Sequence, residues 1–148
     1  MKQSLTHDRM LGVTVGTNRH SRHWKHSNVT VSGLYERLAS PSMGVETYDE
    51  YLKLPKSEQD NLKDVGGFVG GLLNGERRKA VNVIGRDIVT LDFDSIKEYG
   101  ADSINERTAA LGCSYCIYST RKHIPSKPRQ RIIIPLDRTV SPEEYEPI

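Results

Sequence analysis

The stretch Ala80-Val81-Asn82-Val83-Ile84-Gly85-Arg86-Asp87-Ile88-Val89-Thr90-Leu91-Asp92-Phe93-Asp94 decides how the chain folds. Val81, Val83, Ile84, Ile88, Val89, Leu91 and Phe93 give residues 80–93 the β-branched and apolar content of a strand. Successive side chains of a strand point to opposite faces. Leu91 and Phe93 can therefore turn to a core while Asp92 and Asp94 project together into a cleft. Two carboxylates that close repel, and each raises the cost of ionising the other. A hard divalent cation such as Mg²⁺ removes that cost and prefers oxygen ligands. Such sites serve phosphoryl transfer. These residues alone also fit an ordinary strand end with two solvated acids.

Working outward, residues 115–119 and 131–136 read as two more strands, the latter centred on Ile132-Ile133-Ile134. Ser103 and Glu106 have capping-box spacing, which predicts a helix to Leu111 closed by Gly112. Upstream, Val31, Leu34, Tyr35 and Leu38 recur at helical spacing, and residues 47–54 form a second short helical pattern. Ser57 is a candidate N-cap for a helix through Asp64 that Gly66-Gly67 ends. Residues 68–73 are apolar and glycine-rich, a close-packed turn or strand. The pattern predicts an α+β fold, a mostly antiparallel sheet with flanking helices. Residues 1–28 are polar and basic with little periodicity, and they read as a basic N-terminal arm before a domain over residues 29–148. Ser141-Pro142-Glu143-Glu144 is a strong helix start shortly before Ile148. A helix so short is barely worth capping, so the domain is expected to continue beyond Ile148.

The 148 residues suit one domain, and 36% hydrophobic content suits one core. The net charge of +2 hides an uneven distribution. Residues 19–26 and 121–131 carry basic side chains and no acid, whereas residues 46–64 are mostly acidic. Cationic segments of this kind fit an anion such as phosphate. Two cysteines do not make a disulfide framework, and no segment has the length of a signal-peptide core or a membrane span. The expectation is a cytoplasmic protein with no membrane partner.

The basic segment between the last two strands carries Ser119, His123, Arg129 and Arg131. Arg129 and Arg131 share a face if they enter a strand. Guanidinium forks match phosphate oxygens, and His123 can donate a hydrogen bond to the same group. A solvated basic hairpin is the plainer reading of that segment. An acidic strand end beside a basic hairpin makes a site for a metal-bound nucleoside triphosphate.

Asp92-Phe93-Asp94 resembles the hydrophobic-Asp-hydrophobic-Asp motif of archaeo-eukaryotic primases. Residues 119–123 resemble their second motif, a small residue shortly before a phosphate-contacting histidine, although Thr120 and His123 stand three apart and Arg121 sits where the histidine would follow Ser119. The likeness is greatest to the primase-polymerase domain that phages and mobile elements place before helicases of the virulence-associated E type. It extends over Trp24-Lys25, Tyr35-Glu36-Arg37-Leu38, and residues 63–71, 77–83 and 127–136. The resemblance implies a partial archaeo-eukaryotic primase core that extends DNA from nucleoside triphosphates on a template by a two-metal mechanism. Asp92 and Asp94 would be catalytic and hold Mg²⁺ or Mn²⁺. Ser119, His123, Arg129 and Arg131 would bind nucleotide. Arg22, Trp24, Lys25, Arg77, Arg78 and Lys79 would meet nucleic acid, and a helicase domain would be the partner. A third family carboxylate has no match here. Asp137 comes too early, so that acid is expected beyond Ile148.

Other patterns are weaker. Cys113 and Cys116 have half the ligands of a structural zinc. His20, His23 and His26 recur beside Trp24, which could stack on a base or anchor the arm on the core. Residues 63–71 hold paired glycines but no Gly-Lys-Ser/Thr ending, so they are not a phosphate-binding P-loop. A nucleotide- or DNA-binding fragment without catalysis, and a metal-dependent nuclease, remain as alternative functions.

Overall fold

A computed structural model describes residues 5–97 and 100–148. In chain order the elements are β1 (Met10–Gly16), β2 (Lys25–Thr30), α1 (Val31–Leu38), α2 (Tyr48–Lys53), α3 (Lys56–Leu62), β3 (Gly67–Val69) and β4 (Gly71–Leu73). There follow a 3-10 turn (Ala80–Asn82), β5 (Val83–Phe93), α4 (Gly100–Ala109), β6 (Cys116–Ser119), β7 (Gln130–Val140) and α5 (Pro142–Tyr145). The fold is α+β, with antiparallel sheets and flanking helices. The elements sort into two units. One holds the described residues up to Asp87 together with Asp137–Ile148; the other is Ile88–Leu136. Among the described residues, no helix is long and apolar enough to cross a membrane.

In the first unit β1 is the middle of a three-stranded sheet of order β2-β1-β3, with Val13 opposite Ser27 and Val15 opposite Phe68. Leu11, Val13, Trp24, Val31, Leu34 and Tyr51 form its core. The Thr14 hydroxyl, buried with them, donates to the Gly71 carbonyl at 2.8 Å. Asp87 is also buried, and its carboxylate accepts from Arg9 at 2.7 Å, from the Thr139 hydroxyl at 2.5 Å and from the Gly12 backbone N–H. Burial alone would push this carboxyl up, but those three donors together hold it below the usual aspartate value.

The first unit departs from the sequence reading in two places. Residues expected to lie as a polar arm contain β1 and β2, and Trp24 is only 3% exposed. A strand covered on both faces has no period-two alternation, so β1 gives no strand signal. The helix expected from Ser57 instead starts at Lys56 behind Pro55, with no side-chain cap. Thr47 caps α2 through a capping box with Glu50, and Ser141 does the same for α5 with Glu144.

In the second unit Ile88, Val89, Ile132 and Ile133 are buried on the central strands. β5 and β7 are the inner strands of a sheet of order β4-β5-β7-β6. β6 pairs antiparallel with β7 in the register Cys116 to Ile133, Ile117 to Ile132, Tyr118 to Arg131 and Ser119 to Gln130. α4 begins at Gly100, so Ser103 lies inside the helix and not at its cap. Gly112, with φ of +67°, follows the helix in the left-handed conformation that suits glycine. Leu91 is 40% exposed and does not face a core as expected; Phe93 is half-buried.

Candidate functional site

The second unit carries the acid pair. Asp92 is the penultimate residue of β5, and Asp94 is the first residue after it. Both are exposed, and they line an open cleft of about 510 Å³ with Phe93, Ser95, Ile96, Lys97 and residues of α4. Each acid faces an arginine at the entry to β7, Arg131 within the strand and Arg129 just before it. Arg131 grips Asp92 with a fork, Nε to Oδ1 at 2.5 Å and Nη2 to Oδ2 at 3.1 Å. Arg129 pairs with Asp94, Nη1 to Oδ1 at 3.6 Å. The pairs are solvent-accessible, with Asp92 and Asp94 50% and 65% exposed. Pairs of that kind stabilise by only about 0.2–1 kcal/mol. They hold the side chains in place without locking them.

Tyr118 completes the group. It stands opposite Arg131 in the β6–β7 register, takes a hydrogen bond from Arg131 Nη1 on its hydroxyl at 3.4 Å, and lies with its ring 6.0 Å from the guanidinium. Burial opposes the charge of Arg131. The Asp92 carboxylate and the Tyr118 hydroxyl outweigh it and raise the guanidinium above its ordinary value. Tyr118 escapes a reading from sequence because its part depends on strand register, which no local spacing reveals.

The loop between β6 and β7 positions the remaining candidates. Thr120 N–H donates to the Arg129 carbonyl at 3.2 Å, and His123 N–H to the Thr120 carbonyl at 2.9 Å. His123 Nδ1 accepts from the Arg129 backbone N–H at 3.1 Å. That bond assigns the ring proton of neutral His123 to Nε2, leaving it as a donor. Arg129 Nε is buried without a partner, a donor whose desolvation costs about 1–3 kcal/mol until an acceptor meets it. Ser119 is placed differently from Arg131. It pairs with Gln130, so the pleat turns it to the face opposite Tyr118 and Arg131. The structure thus gathers Asp92, Asp94, His123, Arg129 and Arg131, with Tyr118, and leaves Ser119 apart.

The donor set fits a hard cation. Asp92 and Asp94 offer oxygen ligands at an open cleft, and each already holds positive charge. Among the described residues no group of three or more His, Cys, Asp or Glu gathers for a metal. Mg²⁺ is commonly held by one or two carboxylates plus substrate phosphates and water, so two acids suffice for a site that a phosphate completes. Cys113 and Cys116 are free thiols, and burial pushes the Cys116 thiol up, away from the thiolate that zinc requires.

In the first unit the basic candidates come together around Trp24. The Trp24 N–H donates to the Glu76 carbonyl at 2.9 Å, and the Arg78 guanidinium lies over its ring at 4.7 Å. His23 Nδ1 meets Glu76 at 2.6 Å. Arg22, Lys25, Arg77, Arg78 and Lys79 are all exposed. Trp24 is not available to stack on a base. Its ring is buried against Gly16, and Nε1 donates to the Ser21 carbonyl at 3.0 Å. It is the anchor that ties the two basic segments to the core.

A family model described as the VapE N-terminal domain matches residues 1–148. No curated protein and no solved structure matches the chain. The family match links the chain to VapE-like proteins of phages and mobile elements.

Proposed function

The chain belongs to the VapE N-terminal domain family, and on that footing we propose that it is the nucleotide-handling part of a DNA primase-polymerase of archaeo-eukaryotic primase type. It would serve phage or mobile-element replication beside a helicase domain. The supporting observation is the matched set of charges at the cleft: Asp92 and Asp94, each facing an arginine, beside a histidine with a donor to give. Asp92 and Asp94 would hold Mg²⁺ or Mn²⁺, which when bound would supply charge neutralisation and activation of the attacking oxygen. Arg129, Arg131 and His123 Nε2 hold the triphosphate and orient its α-phosphorus toward the primer 3′-hydroxyl. The 3′-hydroxyl gives up its proton to solvent water, and the P–O bond to the leaving pyrophosphate breaks as the new phosphodiester forms. The exposed cations Arg22, Lys25, Arg77, Arg78 and Lys79 carry template phosphates.

The test is extension of a labelled primer on a DNA template with Mn²⁺ and nucleoside triphosphates, comparing the wild-type chain with Asp92→Asn. Extension lost by roughly 100-fold or more in the variant supports the reading. Unchanged extension removes Asp92 from the metal site, and cleavage without extension makes the protein a nuclease. A second reading, a nucleotide-binding module without catalysis, is favoured by the two-acid donor set. It predicts binding of metal and nucleotide with no extension.

A further inference from the structure

We infer that the Asp92–Arg131 and Asp94–Arg129 pairs form an interlock that makes divalent cation and triphosphate bind together, each binding poorly alone. The inference rests on the reading of this cleft as a nucleotide site. Asp92, Asp94, Arg129 and Arg131 each have two uses. Asp92 is proposed to hold a cation, and it holds the Arg131 fork. Arg131 is proposed to hold phosphate, and it is spent on Asp92. Asp94 and Arg129 repeat the arrangement at 3.6 Å. Two carboxylates and two guanidiniums sum to zero, so these four groups attract neither a free cation nor a free polyphosphate strongly.

A cation taken up alone leaves two arginines unpaired beside it. A triphosphate taken up alone leaves two carboxylates facing it. Only the pair of ligands satisfies all four groups, by exchange of partners. The accessible ion pairs are weak enough to open in that exchange. Two features keep the arginines ready for it. Tyr118 holds Arg131 through its hydroxyl and ring independently of Asp92. Arg129 Nε is a buried donor still without an acceptor. Coupling between binding events is reciprocal, so the cation must strengthen triphosphate binding by the factor with which triphosphate strengthens cation binding.

The interlock makes a prediction opposite in sign to simple ligand loss. Mn²⁺ alone, titrated by electron paramagnetic resonance on the full chain, should bind Arg131→Gln about threefold more tightly than wild type. Inorganic tripolyphosphate in EDTA, followed by calorimetry, should bind Asp92→Asn more tightly by a similar factor. Lys97→Gln removes the same charge from the same cleft and touches no ion pair among the described residues, so it measures the effect of net charge. A gain in Arg131→Gln that exceeds the Lys97→Gln gain supports the interlock. Equal gains, or none, overturn it. If wild type then still binds Mn²⁺ with deoxyadenosine triphosphate, the nucleotide reading stands without the interlock. If neither wild type nor variants bind Mn²⁺ with or without that nucleotide, the nucleotide reading falls and the interlock with it.

Discussion

A carboxylate with 3% of its side chain exposed survives only when its lone pairs find donors, and Asp87 finds three in Arg9, Gly12 and Thr139. Asp87→Ala removes the acceptor that the Gly12 N–H and the Thr139 hydroxyl share and the buried ion pair to Arg9, so it should destabilise the protein by about 3 kcal/mol in urea unfolding. Because the folded carboxyl is held below its ordinary value of 3.8, its contribution is complete above about pH 4 and is lost as pH falls further. Stability measured between pH 6 and pH 2.5 should therefore fall more steeply in wild type than in Asp87→Asn. At the cleft, Tyr118→Phe removes one long hydrogen bond and keeps the ring, so it should weaken triphosphate binding only about two- to threefold in the presence of Mn²⁺. The Asp92 and Asp94 spacing was legible in the sequence because alternation along a strand is local. Their partnership with Arg131 and Arg129 was not, because it depends on how β7 meets β5, some forty residues apart in the chain.

β5 and β7 were readable from their β-branched runs, and α5 from its cap. β1 was not, because Leu11 to Thr14 are all buried and Gly12 looks like a loop residue. Ser57 and Ser103 misled for the reverse reason: cap-like spacing also occurs inside helices, and only the backbone tells which serine ends one. Gly71 shows how closely strands can constrain a residue. A Cβ there would lie 2.1 Å from the Gly85 carbonyl oxygen, where β4 pairs with β5. Backbone cannot give way as a flexible side chain can, so Gly71→Ala should cost roughly 2 kcal/mol or more by urea unfolding. Ser141→Ala removes the α5 cap and should cost about 1 kcal/mol by the same measurement.

For the whole molecule, the ligand pair should raise stability by mass action. At a concentration near 100 times its dissociation constant, the Mn²⁺–nucleoside triphosphate complex, bound as a single ligand, should add about 2.7 kcal/mol. That corresponds to a melting shift of roughly 5–10 °C for a chain of this size. Either ligand alone should give much less. The α+β class was legible because strand and helix patterns alternate along the chain, but the division into two units was hidden because one of them is discontinuous. The unit built around Asp87 draws on Asp137–Ile148, whereas Ile88–Leu136 is continuous. The order of synthesis then matters. Arg9 and Gly12 emerge from the ribosome long before Thr139, the last donor to Asp87. The continuous stretch Ile88–Leu136 is made within that interval and is complete three residues before Thr139, so Asp92, Asp94, Arg129 and Arg131 are all in hand just before the buried carboxylate of Asp87 can gain its last donor.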